Sequence, residues 1–219
     1  MTYLSGGMLV LLTLGSAYYL MRSLQEIRKK EEVFYREILP HMKQASFSEN
    51  RGLLPSLEGL YHDLRIKIVP LGDNLCYRGL PRLYLKIYLA VDNDKLCRVV
   101  SINERAHLFP PAEFEKSRTF LGQDNPGFEI CLPEEPKLEP ENLNNLVNIL
   151  SKIDNCSEIL MQKKYIRLTL LLAHGEKGYY FVLRAMKFPA LVLKDENLSR
   201  TVQLLFELRR EVAKIESAC

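Results

Sequence analysis

The sequence predicts an α+β protein: an N-terminal transmembrane helix and helical stalk, followed by an antiparallel-sheet domain with a long C-terminal helix. Three observations carry that expectation. Residues 1–21 hold no charged side chain and centre on "MLVLLTLG". "RLYLKIYLAV" alternates apolar and polar residues with a period of two, the pattern of a half-buried strand. Residues 196–216 space their apolar side chains as one face of a helix does. Runs of strands with segregated helices argue α+β rather than alternating α/β.

The first element is read as a membrane anchor over residues 1–21. As a helix, Thr2 to Met21 would span ~30 Å, the thickness of a hydrocarbon core. Leu9, Val10, Leu11, Leu12 and Leu14 form its apolar centre. Tyr3 lies near one end and Tyr18 and Tyr19 near the other, where amphipathic rings prefer the interface. A cleaved secretory signal opens with a basic region, which this stretch does not show. A buried globular helix rarely runs so long without a charge. Arg22, Arg28, Lys29 and Lys30 form a basic flank on the C-terminal side. The positive-inside rule then puts the large domain in the cytosol. The expectation is a single-pass protein of the endoplasmic reticulum or mitochondrial outer membrane. Gly6, Gly7, Gly15, Ser16 and Ala17 make small-residue patches but no GxxxG, so no dimer motif is read from them.

Residues 22–44 are expected to form a helical stalk, with Leu24, Ile27, Phe34 and Ile38 near one face and Pro40 as a breaker. Residues 45–55 are read as a linker, because "QASFSENRG" is polar and carries a turn signal. The α+β domain is then residues 56–219. A short helix is expected over Leu57–Leu64, a strand at "LRIKIVP", and a strand at "RLYLKIYLAV" with Leu83, Leu85, Ile87, Leu89 and Val91 facing inward. "LCRVVSI" is read as its hairpin partner. Residues 103–126 read as a proline-containing loop, and "GFEICLP" as a strand. Leu143, Leu146, Leu150 and Ile153 mark a helix. "KYIRLTLLLA" and "GYYFVLRAM" flank "HGEKG" as a hairpin. Asp195 is expected to N-cap the final helix, with Leu198, Val202, Leu205, Leu208, Val212 and Ile215 on its apolar side.

Chemistry is harder to find. The sequence contains no Walker loop, GxGxxG, GxSxG or HExxH. The histidines His41, His62, His107 and His174 stand at no metal-ligand spacing. Adjacent His62 and Asp63 do not make a dyad by adjacency alone. Five scattered cysteines without a CxxC read as reduced thiols, with Cys97 and Cys131 in strands. The net charge of +3 is too small for a nucleic-acid partner. "KKYIR" and Arg209–Arg210 read as solvated basic clusters, and the sequons at Asn155 and Asn197 matter only in a lumenal domain. The expected function is therefore non-enzymatic, with no cofactor, catalytic residue or metal ligand assigned. It is a membrane-anchored interaction or assembly factor offering a strand face, an edge or the terminal helix to a protein partner. The alternative is a membrane-tethered module that binds or transfers a lipid or other apolar ligand between sheet and helix.

Overall fold

The computed structural model describes residues 14–15, 18, 21, 32–49, 54–73, 81–92, 96–101, 117–121, 127–132, 140–175, 188–189 and 191–217. Among these, nine strands form one sheet: β1 (Met42–Ser48), β2 (Ser56–Tyr61), β3 (Leu64–Asp73), β4 (Arg82–Ala90), β5 (Cys97–Ser101), β6 (Ser117–Leu121), β7 (Phe128–Leu132), β8 (Cys156–Gln162) and β9 (Tyr165–His174). Their spatial order is β1-β2-β3-β4-β9-β8-β5-β7-β6, and each neighbouring pair is antiparallel. Two helices, α1 (Pro140–Leu150) and α2 (Asp195–Ser217), complete the α+β domain. The helices pack against each other.

The first half of the sheet is a run of hairpins whose turns follow from local chemistry. β2 and β3 are joined by His62 and Asp63, with φ of 47° and 63°. Two successive left-handed residues make the turn whose twist matches a hairpin, and His and Asp are among the non-glycine residues that tolerate it. That turn is the structural role of the His62–Asp63 pair. β1 meets β2 through a bulge, in which Gln44 (φ 53°) and Ala45 lie opposite Gly59. A Cβ at Gly59 would stand 2.8 Å from Met42 Cε and 2.9 Å from the Lys43 carbonyl oxygen, so this close approach requires glycine.

Several expectations need correction. Residues 57–64, read as a short helix, are β2, the turn and the start of β3. The spacing of Leu57, Leu60 and Leu64 imitates a helical stripe, but Gly59 and the tight turn favour extended chain. Residues 42–48, read as the end of the stalk and the start of a linker, form β1. Phe34 and Ile38, read as part of one face of a stalk, are buried in the core, and Tyr35 is buried beside them. Tyr35 Oη donates to the Pro55 carbonyl at 2.7 Å, and the Leu193 amide donates to the Phe34 carbonyl at 2.9 Å. β5 does not pair with β4; it lies between β7 and β8. The 103–126 segment contains strand β6. β8, unanticipated from the sequence, forms a two-residue hairpin with β9. The "GYYFVLRAM" arm lies outside the described residues.

One face of the sheet and both helices share a single apolar core. Leu57, Ile66, Ile68, Leu85, Ile87, Leu89, Ile159 and Leu168 supply the strand side. Leu146 and Leu150 of α1 and Leu198, Val202, Leu205, Leu208 and Val212 of α2 supply the helix side. Asp195 stands in the first turn of α2 rather than before it, since the Leu198 amide bonds to the Lys194 carbonyl. There its charge still favours the positive end of the helix.

Candidate functional site

The opposite face of the sheet is also buried across β4, β9, β8, β5 and β7, and it is not apolar. Reading the register across these strands gives one row of Lys86, Thr169, Glu158, Val100 and Glu129. The next row is Tyr88, Arg167, Leu160, Arg98 and Cys131. Arg98, Glu129, Glu158 and Thr169 are all buried. A strand presents alternate residues to opposite faces, so a charge set between core residues must emerge here.

Glu158 is the centre of this layer. Its Oε1 accepts from Arg98 Nε at 2.7 Å, and its Oε2 accepts from Arg167 Nη2 at 2.7 Å. Both carboxylate oxygens are thus engaged by guanidinium groups, the residue type best suited to desolvated ion pairs. Lys86, facing Thr169 from β4, is held below its ordinary pKa by burial and then by the Arg167 charge, while Glu158 pulls the other way. Arg167, read from the sequence as part of a solvated basic cluster, is instead a largely buried member of this ion network.

A second polar group lies where α2 begins. Tyr61 Oη donates to Asp195 Oδ1 at 2.8 Å, and His41 Nε2 stands 3.8 Å from Asp195 Oδ2. Burial and the bond to Asp195 push the Tyr61 phenol well above its usual pKa. The His41 and His62 rings are 6.4 Å apart. The arrangement ties the first turn of α2 to β2 and to the chain entering β1. Among the described residues, no group of three or more His, Cys, Asp and Glu is placed to hold a metal ion.

The remaining candidate surface is the N-terminal apolar stretch. Leu14, Gly15, Tyr18 and Met21 are helical. Leu14, Tyr18 and Met21 follow one another at helical face spacing and are 62%, 68% and 62% exposed. A Cβ built on Gly15 would meet nothing within 4 Å. Among the described residues no helix is long and apolar enough to cross a membrane. Leu9, Val10, Leu11 and Leu12 of the expected anchor, and Arg22, Arg28, Lys29 and Lys30 of its flank, lie outside the described residues.

Cys97 and Cys131 are buried in strands as expected, and Cys156 joins them. Burial, then the Glu158 charge, pushes the Cys156 thiol up to about 12. Sequence reasoning missed Lys86, Arg98, Glu158, Arg167 and Thr169 as a group. The available signal was a charge enclosed by apolar residues within strand patterns, as in "CRVVS", "SEILM" and "YIRLTL". No protein family matches the chain, and neither a curated protein nor a solved structure matches it.

Proposed function

We propose that the chain is a single-pass, membrane-tethered binding module without catalytic activity, presenting its α+β domain to a protein partner on the cytosolic side. The observation that carries this reading is the outward apolar face of Leu14, Tyr18 and Met21. Residues of this kind are ordinarily covered in a folded chain, and a contiguous apolar face left open marks a membrane or partner surface. The uncharged run of residues 1–21 supplies the length for a bilayer, and the basic flank Arg22, Arg28, Lys29 and Lys30 supplies the orientation. Because Phe34 already lies in the domain core, residues 22–33 separate fold from anchor, ~18 Å if helical. The domain would then ride close to the bilayer surface of the endoplasmic reticulum or the outer mitochondrial membrane.

The partner surface in this reading is the edge of β1. Lys43 to Ser48 are exposed, and Phe47 is 43% exposed while its ring leans against Tyr35 at 5.7 Å. An edge strand offers backbone groups to an extended segment of another chain, and Phe47 offers an apolar anchor beside them. The alternative, an apolar ligand held between α2 and the sheet, has to share space with Leu198, Leu205, Leu208, Ile87 and Leu168, all fully buried in one core. That packing favours the interaction reading. Protease treatment of intact membranes bearing the C-terminally tagged protein tests the topology. Loss of the tag without detergent is expected; protection of the tag would overturn the cytosolic placement.

A further inference from the structure

The net charge of +3, which argued against a nucleic-acid partner, is an average over the chain, and the sheet register shows where cations collect. Across β2, β3, β4 and β9, one row of the face opposite the helices reads Glu58, Lys67, Tyr88 and Arg167. Lys67 and Arg167 thus stand on either side of Tyr88. Arg65 and Lys86 lie two residues before Lys67 and Tyr88 on their own strands, so they project from the same face. Tyr165 lies two residues before Arg167, and its ring meets the Tyr88 ring at a centroid distance of 5.6 Å. The turn that leads into Tyr165 is Lys163–Lys164, both exposed. This part of the face is open: the side chains of Arg65 and Lys67 are 71% and 46% exposed, and both tyrosines are partly exposed.

Ion pairs leave a cationic excess here. Glu58 answers both Arg65, at 2.8 Å, and Lys67, at 3.7 Å. Glu158 answers both Arg98 and Arg167. Each carboxylate is shared by two cations, and Lys86, Lys163 and Lys164 add to the excess. Asp63 and Asp92 lie at the strand ends, where Asp63 is taken by Lys43. The other buried carboxylate, Glu129, is on β7 at the far side of the sheet. Cations around a tyrosine pair suit a single-stranded nucleic acid, whose phosphates meet the charges and whose bases stack on the rings. A duplex hides its base faces, and an acidic peptide brings no such series of flat rings. Tyr88 also sits between two neighbouring strands, not on a projecting turn that could enter a bilayer. We propose that the face of β3, β4 and β9 around Tyr88 and Tyr165 binds single-stranded nucleic acid. Bases stack on the two tyrosines, and Arg65, Lys67, Lys163 and Lys164 meet the phosphates. The basic stretch "KKYIR" then belongs to a binding face. The site is independent of the membrane reading, since its residues lie in the sheet and its turns.

The test uses the full chain in a neutral detergent. Labelled oligouridylate and oligothymidylate of about twelve nucleotides are titrated and read by fluorescence anisotropy. Saturable binding is expected, and the tighter of the two identifies RNA or DNA. Tyr88→Ala and Tyr165→Ala should each weaken binding by about tenfold, because a stacking surface is lost. Lys163→Gln with Lys164→Gln should weaken it and reduce the slope of log affinity against log salt by about 1.4. Arg200→Gln, at an exposed position on α2, should bind as the unaltered chain does. Equal competition by a duplex of the same length or by polyglutamate overturns the proposal, because charge alone would then suffice. Unchanged binding in both tyrosine variants does so as well. Absence of binding to either oligomer also overturns it, and a thermal midpoint raised by phosphatidylserine in the micelle would then give the face to lipid. If a variant fails to fold by circular dichroism, ultraviolet cross-linking of a thiouridine-containing oligomer to the unaltered chain decides. Adducts on β4 or β9 support the site, and adducts only elsewhere, or none, overturn it.

Discussion

Two helical apolar faces in this chain meet opposite fates. In α2, Leu198, Val202, Leu205, Leu208 and Val212 recur at helical spacing and are sealed into the core. Near the N-terminus, Leu14, Tyr18 and Met21 recur at the same kind of spacing and stay about two-thirds exposed. Leu14 and Met21 are as apolar as the residues of α2 and Tyr18 adds an amphipathic ring, so the difference lies mainly in what each face is offered. α2 meets the apolar face of the sheet, whereas no described part of the domain covers the first stretch. Burial is then a statement about partners, and the proposed partner of the first stretch is the bilayer.

The contrast can be broken from either side. Replacing Leu11 and Leu12 together by arginine should cost about 3 kcal/mol per residue for membrane insertion on translocon-based scales. The paired variant should no longer float with liposomes, while its melting curve stays that of the unaltered domain. Leu205→Ala should do the reverse, lowering folding stability by about 2–5 kcal/mol through a cavity at the α2–sheet interface. Denaturant titration reads that loss, and liposome flotation should not change.

A comparable loss is expected on the other face of the sheet. Glu158→Ala strips the buried Arg98 and the largely buried Arg167 of their shared carboxylate and should cost about 3–5 kcal/mol. Breaking one partner of a buried pair is worse than replacing the whole pair, so a triple change of Arg98, Glu158 and Arg167 to apolar residues should recover part of the loss. Gly59→Ala comes next, at about 1–3 kcal/mol, because the new methyl must push aside the Lys43 carbonyl at the bulge. Equal denaturation midpoints for Gly59→Ala and the unaltered chain would show that the bulge relaxes freely.

The smallest effect concerns Cys156. With its pKa pushed up to about 12, the thiol stays protonated in the folded state. Its folded pKa exceeds the unfolded one, so its contribution to stability is complete below the ordinary thiol pKa and is lost as the pH rises toward 12. At pH 8, Cys156 should resist a thiol-specific reagent in native protein and react once urea unfolds it. Prompt reaction in the native state would place the thiol at the surface.

Much of the sheet was legible locally, and its assembly was not. β3, β4, β7 and the two helices announce themselves through period-two or helical spacing in short windows. β2 was hidden because three leucines imitate a helix, and the turn that forbids a helix depends on His62 and Asp63 adopting left-handed backbone. β8 was hidden because its apolar run is interrupted by Glu158, which reads as solvent-facing until a second buried face is known. The pairing of β5 with β8 joins segments far apart in sequence, and no local pattern encodes it. The ion network fails for the same reason: Arg98, Glu158 and Arg167 meet only through that pairing and the β8–β9 register. For the anchor, the sequence speaks through length, missing charge and a basic flank.

Extraction of native membranes with alkaline carbonate, followed by detection of the chain in pellet and supernatant, tests the central claim most directly. An embedded helix resists carbonate, so the account predicts the full-length protein in the pellet and its release only by detergent. Quantitative recovery in the carbonate supernatant would contradict it, and the face of Leu14, Tyr18 and Met21 would then belong to another protein.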